Sequence, residues 1–301
     1  MNLDLADVLT WAGVRALATE EVLTAANHTI RIVAANPDRP PIKVATEQYW
    51  FHSAIPQTPP PGAILYARTA WRRPWRPLLL QQLKVPAVLV STFYDPMIKP
   101  QAVCEMFAPG SPVRHWFGVQ AQTAHPQLSA MPLGVEGSIV PYLQAAERRA
   151  IRDIPLYLNF QLRGRGTQSD AIRGALWRQF AGQPWVVADP WVPGGETAYV
   201  AQLGRSQFVL SPPGAGWDCY RTYEAIAMGA IPIVRRERPM TDVCEPLPVL
   251  IVDDWNEITP ERLQREWDRR RPGDRRTLTL SYWRERILTA AARLMPQAVA
   301  G

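Results

Sequence analysis

The segment Ser206 to Gly229, SQFVLSPPGAGWDCYRTYEAIAMG, leaves little choice of local fold. Phe208-Val-Leu-Ser211 is a short apolar run and reads as a buried strand. Pro212-Pro213-Gly214-Ala215-Gly216 cannot continue as helix, because proline removes donors and fixes φ. Asp218 then reads as an N-cap, and Cys219 to Met228 as a helix closed by Gly229. A strand, a glycine loop and a helix N-terminus in that order form an anion site, because free N–H groups and the helix dipole face whatever lies above the loop. Arg221 and Glu224 are three residues apart and share one helix face. A guanidinium fork suits phosphate oxygens, and a carboxylate can accept two hydrogen bonds from a vicinal diol such as a ribose. The pattern predicts a nucleoside diphosphate across this helix N-terminus. Gly214 and Gly216 would allow close backbone approach to phosphate, and Ser211 could add a hydroxyl. A plain tight turn and a surface ion pair between Arg221 and Glu224 are the structural alternatives.

Two more short strands follow, Ala230-Ile-Pro-Ile-Val234 and Pro248 to Asp254. Taken together, Ser206, Phe208, Leu210, Pro212, Gly214, Arg221, Glu224, Ala225, Gly229 and Ile231-Pro-Ile-Val234 resemble the donor-binding half of exostosin-type glycosyltransferases. Pro248 to Thr259, PVLIVDDWNEIT, is similar to bacterial members. The resemblance covers roughly residues 195–260; Trp116 and Met131–Glu136, MPLGVE, are fainter echoes toward the N-terminus. It implies a GT-B-like α/β fold with two Rossmann-like domains facing across a cleft, a UDP-linked donor and inversion at the anomeric carbon.

At 301 residues the chain is long enough for two domains. Strands expected at Ile30–Val33, Lys43–Ala45, Ala63–Tyr66, Pro86–Val90, Val113–Phe117 and Leu128–Leu133 alternate with helices at 75–83 and 99–107, behind a leading amphipathic helix over 4–26. A helix at 140–150 closes this half. A second series follows: strand Ile154–Asn159, helix 168–180, strand 185–188, helix 196–204 and the signature strand. Such alternation implies mostly parallel sheets covered on both faces. The expected division is 1–150, an acceptor-side domain, and 151–301, a donor-binding domain, with a final helix near 278–295 crossing back to the first as the resemblance implies.

No apolar run approaches the roughly 18 residues of a membrane span. MNLDLADVLTWAG carries two Asp and no early Lys or Arg, unlike a secretory signal, so the expected location is cytoplasmic. Three scattered cysteines and four histidines show neither disulfide-framework nor metal-ligand spacing. No cofactor is expected beyond the UDP-sugar donor substrate. The net charge of +6 is carried by arginine, with lysine only at 43, 84 and 99. Basic surface can draw phosphate-bearing ligands, and a coding bias toward arginine gives the same count.

Further candidates come from position in the fold. Arg163, Arg165 and Thr167 follow the first strand of the second half and could meet phosphates from the opposite side, or form an ordinary surface loop. An acceptor base should come from the first domain: Asp95 follows the strand Pro86–Val90, and Glu136, after Met131–Val135, is the reserve. Asp95 could equally cap the helix at 99–107. His115 and His125 are lesser candidates. Asp253-Asp254 could be offered as a metal pair, but it ends a strand and more simply caps the next turn. The expected partners are a nucleotide-sugar donor and a glycan, lipid-linked or protein acceptor, with no nucleic acid and no transmembrane segment. Two other readings stay open: a basic nucleic-acid-binding protein, although no recognised module of that kind is present, and a non-catalytic GT-B-like module that keeps the donor site without a base.

Overall fold

The computed structural model describes residues 3–17, 20–24, 30–34, 61–68, 80, 83–92, 97–147, 151–163, 167–270 and 273–295. Its contacts form two compact units, 1–10 with 132–280, and 11–131 with 281–301. The segment 132–147, with Glu136, therefore groups with the 206–229 segment, although the boundary was expected near residue 150.

The unit of residues 11–131 is built on a six-stranded sheet of β1 (Glu20–Thr24), β2 (Ile30–Ala34), β3 (Ala63–Arg68), β4 (Ala87–Thr92), β5 (Val113–Gly118) and β6 (Leu128–Ala130). Its order is β2-β1-β3-β4-β5-β6, parallel except for β1 against β2. Ala63, Leu65, Leu89 and Trp116 are buried between this sheet and the helix Pro100–Met106. The last helix, Leu280–Ala292, joins this unit through Trp283, whose ring meets Phe117 edge-on at 6.3 Å.

The expected leading helix is not formed. Residues 11–15 make one short helix, and 20–24 are strand β1, paired on both edges. Short apolar runs carry no unique period, and strand pairing decided this one. Leu3, Leu5 and Val8 instead bury in the core of the other unit. The strand expected at 43–45 and most of the helix expected at 75–83 lie outside the described residues.

The unit containing residues 132–280 carries β7 (Ile154–Leu158), β8 (Val186–Ala188), β9 (Ser206–Leu210), β10 (Ile231–Arg235) and β11 (Leu250–Val252). All pair in parallel, in the order β11-β10-β9-β7-β8. The chain goes outward from β7 to β8, then returns past β7 to β9 and continues the other way. The strand order reverses between β7 and β9, and in such sheets ligands bind beyond the strand ends at that point. Helices Thr167–Phe180, Glu196–Arg205 and Tyr220–Ala227 fall within one or two residues of expectation. One core layer holds Leu156, Phe160, Phe208 and Ile233; another, with Tyr157, Val209 and Tyr223, also takes Val135 and Leu143. The Met131–Glu136 run is pinned at Gly134, whose φ is +73°. A Cβ there would lie 2.5 Å from the Leu9 carbonyl oxygen, so only glycine fits. Among the described residues no helix is long and apolar enough to cross a membrane.

Candidate functional site

The loop after β9 is built mainly by its own backbone. Ser211 is buried; its N–H donates to Ile233 O at 2.9 Å and its hydroxyl pairs with Thr222 Oγ1 at 2.9 Å. Ser211 thus secures the turn to the following helix. Gly214 N–H donates to Gly216 O at 2.8 Å, and the Ser169 hydroxyl donates to Gly214 O. Neither Gly214 nor Gly216 has a positive φ. A Cβ at Gly214 would lie 3.2 Å from both Arg173 Nη2 and Cys219 Sγ, so what this glycine supplies is close packing.

Two arginines meet where the strand order reverses. Arg173, 3% exposed, donates from Nε to Pro213 O at 2.6 Å and from Nη1 to Gln161 O at 3.0 Å, bridging the loops after β9 and β7. Arg221 donates from Nε to Asn159 O at 2.6 Å, also just past β7. Its Nη1 is buried without a hydrogen-bond partner. The two Cζ atoms lie 5.8 and 5.5 Å from the Phe160 ring centroid, within cation–π range. Among the described residues Arg221 forms no ion pair, so the surface pair with Glu224 is absent. A buried N–H without an acceptor is costly, and an anion at this point would complete it.

Glu224 is 7% exposed, within a helix whose Tyr223, Ala225 and Ile226 are fully buried. The Tyr199 hydroxyl donates to Glu224 Oε2 at 2.7 Å. Burial pushes the carboxyl pKa up and the Glu136 charge adds to that, while the Tyr199 hydroxyl, the Arg221 charge and the Glu136 N–H partly offset it. Glu136 itself starts the short turn Gly137–Ile139, with Oε1 3.4 Å from the Ser138 N–H. The reserve base therefore lies beside the predicted ribose carboxylate, within one compact unit.

Asp218 does not cap the helix. The N-cap is Cys219, with no side-chain cap bond. Asp218 is 4% exposed and its Oδ2 accepts the Leu133 N–H at 2.7 Å, tying the 131–136 run to the loop after β9. Burial pushes its carboxyl up from 3.8 to about 7, against the Tyr223 hydroxyl and the Leu133 and Cys219 N–H groups. A folded-state pKa above the unfolded one gives stability that is full below the unfolded value and is lost as pH rises through the folded value. Asp218 should therefore contribute a stability loss between about pH 4 and 7. Asp218→Asn keeps an acceptor for Leu133 and removes the titration. Urea melts across that range should give a wild-type-minus-variant difference that falls with pH; parallel curves would show that Asp218 does not titrate there.

The remaining predicted residues are dispersed. Arg163 is exposed on the bend after β7, while Arg165 and Asp95 lie outside the described residues. Asp254 caps the turn Trp255–Glu257, accepting the Asn256 N–H at 2.8 Å, and Asp253 pairs with Arg236 at 2.5 Å. His125 stacks on Phe107 at 4.6 Å, and His115 Nε2 is 2.9 Å from Ser129 Oγ. Among the described residues no group of three or more His, Cys, Asp or Glu is placed to hold a metal. Sequence reasoning missed Arg173 and Tyr199. A signal existed for Arg173, which sits three residues before Leu176 and seven before Phe180, on the apolar stripe of its helix. A charge on such a stripe has a reason to be there.

Residues 193–287 match a family model described as the RXYLT1 C-terminal domain. That span contains Tyr199, the loop, Arg221 and Glu224. No curated protein sequence matches the chain. The solved structures that are remotely similar include the following two. The pneumococcal O-GlcNAc transferase GtfA, in complex with UDP and GlcNAc, aligns at 9% identity and TM-score 0.36 over 78% of this chain. A GtfA/B complex aligns at 11% identity and TM-score 0.40, also over 78%. The alignments span 54% and 57% of those chains, about half their length.

Proposed function

We propose that this chain is a glycosyltransferase taking its sugar from a UDP-linked donor. The observation that carries the reading is the pair Arg173 and Arg221 at the β7–β9 reversal, with Nη1 of Arg221 buried and unmatched. The family-model match over 193–287 supports sugar transfer as the chemistry. In this reading the diphosphate lies against Arg221 and the start of the helix Tyr220–Ala227, and the ribose diol meets Glu224. Arg173 holds the two loops in register and adds positive charge. Stabilising the leaving diphosphate is a main electrostatic task of such a transfer. Two arginines and a helix N-terminus supply that charge, so the proposed transfer is metal-independent; an inverting reaction on a GT-B type fold is what the resemblance to exostosin-type glycosyltransferases implies. Asp95 or Glu136 would take the proton from the acceptor hydroxyl, on a glycan, a lipid-linked sugar or a protein.

A thermal-shift panel of UDP, GDP, CMP and dTDP sugars tests the reading. UDP sugars should raise the melting temperature, since a ligand at about 100 times its Kd adds roughly 2.7 kcal/mol. The shift should be unchanged by EDTA. No shift with any nucleotide at millimolar concentration would remove the donor site. A shift lost on chelation and restored by magnesium or manganese would return Asp253 and Asp254 to consideration.

A further inference from the structure

Glu224 is an expensive residue where it stands. Its carboxylate is nearly buried and, among the described residues, no ion pair neutralises it. Its one hydrogen-bonded side-chain partner is neutral, the Tyr199 hydroxyl at 2.7 Å. Burying a carboxylate without an ion pair is unfavourable even with the Arg221 charge nearby and the Glu136 N–H approaching, and proteins keep such groups mainly where they act. Tyr199 comes from the helix Glu196–Arg205, which starts after β8, while Glu224 comes from the helix after β9. Burial and the carboxylate itself hold the Tyr199 hydroxyl well above its ordinary pKa, so it remains a donor at any working pH.

A carboxylate offers about four lone-pair sites. Tyr199 occupies one, and the Glu136 N–H approaches from the start of its turn. The sites that remain match the two hydroxyls of a vicinal diol. We infer that Tyr199 is a positioning residue for nucleotide recognition: by holding Glu224 Oε2 it fixes the carboxylate for the ribose 2′- and 3′-hydroxyls and makes the site selective for ribonucleotides. This rests on the donor-site reading above. A tyrosine that only filled space would affect all nucleotides alike, whereas a positioning tyrosine affects those with a diol.

The test is a calorimetric titration of the full chain and of Tyr199→Phe with UDP and with 2′,3′-dideoxy-UDP. The wild-type chain should prefer UDP by about tenfold or more, the scale of hydrogen bonds to a charged group. In Tyr199→Phe the UDP affinity should fall toward that of the dideoxy nucleotide, which itself should bind as before. Equal weakening of both nucleotides, or no change in either, would overturn the inference. A wild-type chain that binds both nucleotides equally overturns it without any variant. A wild-type chain that binds neither overturns the donor-site reading as well, which separates the two failures.

Discussion

In an Arg152→Met variant the unit built on β7–β11 should lose about 3 kcal/mol of stability, the upper end of what one charged hydrogen bond contributes. Arg152 precedes β7 and donates to three carbonyls: Leu203 O at 3.1 Å and Ser206 O at 2.7 Å from Nη1, and Met228 O at 2.6 Å from Nη2. Leu203 and Met228 lie at the C-terminal ends of the helices Glu196–Arg205 and Tyr220–Ala227. Last-turn carbonyls lack helical partners and carry the negative end of the dipole, so one cation serves both helices. The room for it is made by Gly229, which ends the second helix at φ +81° and whose Cβ, if present, would lie 2.7 Å from Arg152 Nη2. Methionine keeps the stem and removes the donors. Urea unfolding should show the loss as a lower midpoint at unchanged slope. A change under about 0.5 kcal/mol, the ordinary scale of surface substitutions, would mean that water replaces Arg152 freely.

Replacing Arg221 with alanine should weaken UDP binding between about tenfold and a hundredfold, from the 1.5–3 kcal/mol of a charge-assisted hydrogen bond. Its Nε is already committed to Asn159 O at 2.6 Å, which aims the rest of the guanidinium beside Phe160. Lysine should rescue little, because one ammonium cannot hold that carbonyl and span phosphate oxygens as a fork does. Calorimetry with UDP checks both variants. Full affinity in Arg221→Ala would remove this arginine from the site, and full affinity in Arg221→Lys would reduce it to a point charge.

The strand, loop and helix at 206–229 were legible because an apolar run, two prolines and a helical Arg-x-x-Glu each permit few alternatives. The alternating α/β pattern pointed to two mostly parallel sheets for a similar reason. The leading segment was misread because 20–24 has no decisive period of its own; pairing with β2 and β3 made it a strand. Asp218 beside a helix start looks like a cap, yet a long-range bond to Leu133, 85 residues away in sequence, takes its carboxylate. Tyr199 could not be found from spacing, since its meeting with Glu224 exists only once the fold brings residues of two different crossover helices together. Arg173 was visible as a charge on an apolar stripe, but only the sheet order shows that it bridges the loops after β7 and β9.

A crystal structure of the full chain with UDP tests the central claim most directly. The diphosphate should lie within about 2.7–3.2 Å of Arg221 Nη1, beyond the carboxyl ends of β7 and β9, with the ribose hydroxyls on Glu224. UDP bound elsewhere, or bound here with Arg221 Nη1 still unmatched, would contradict the account.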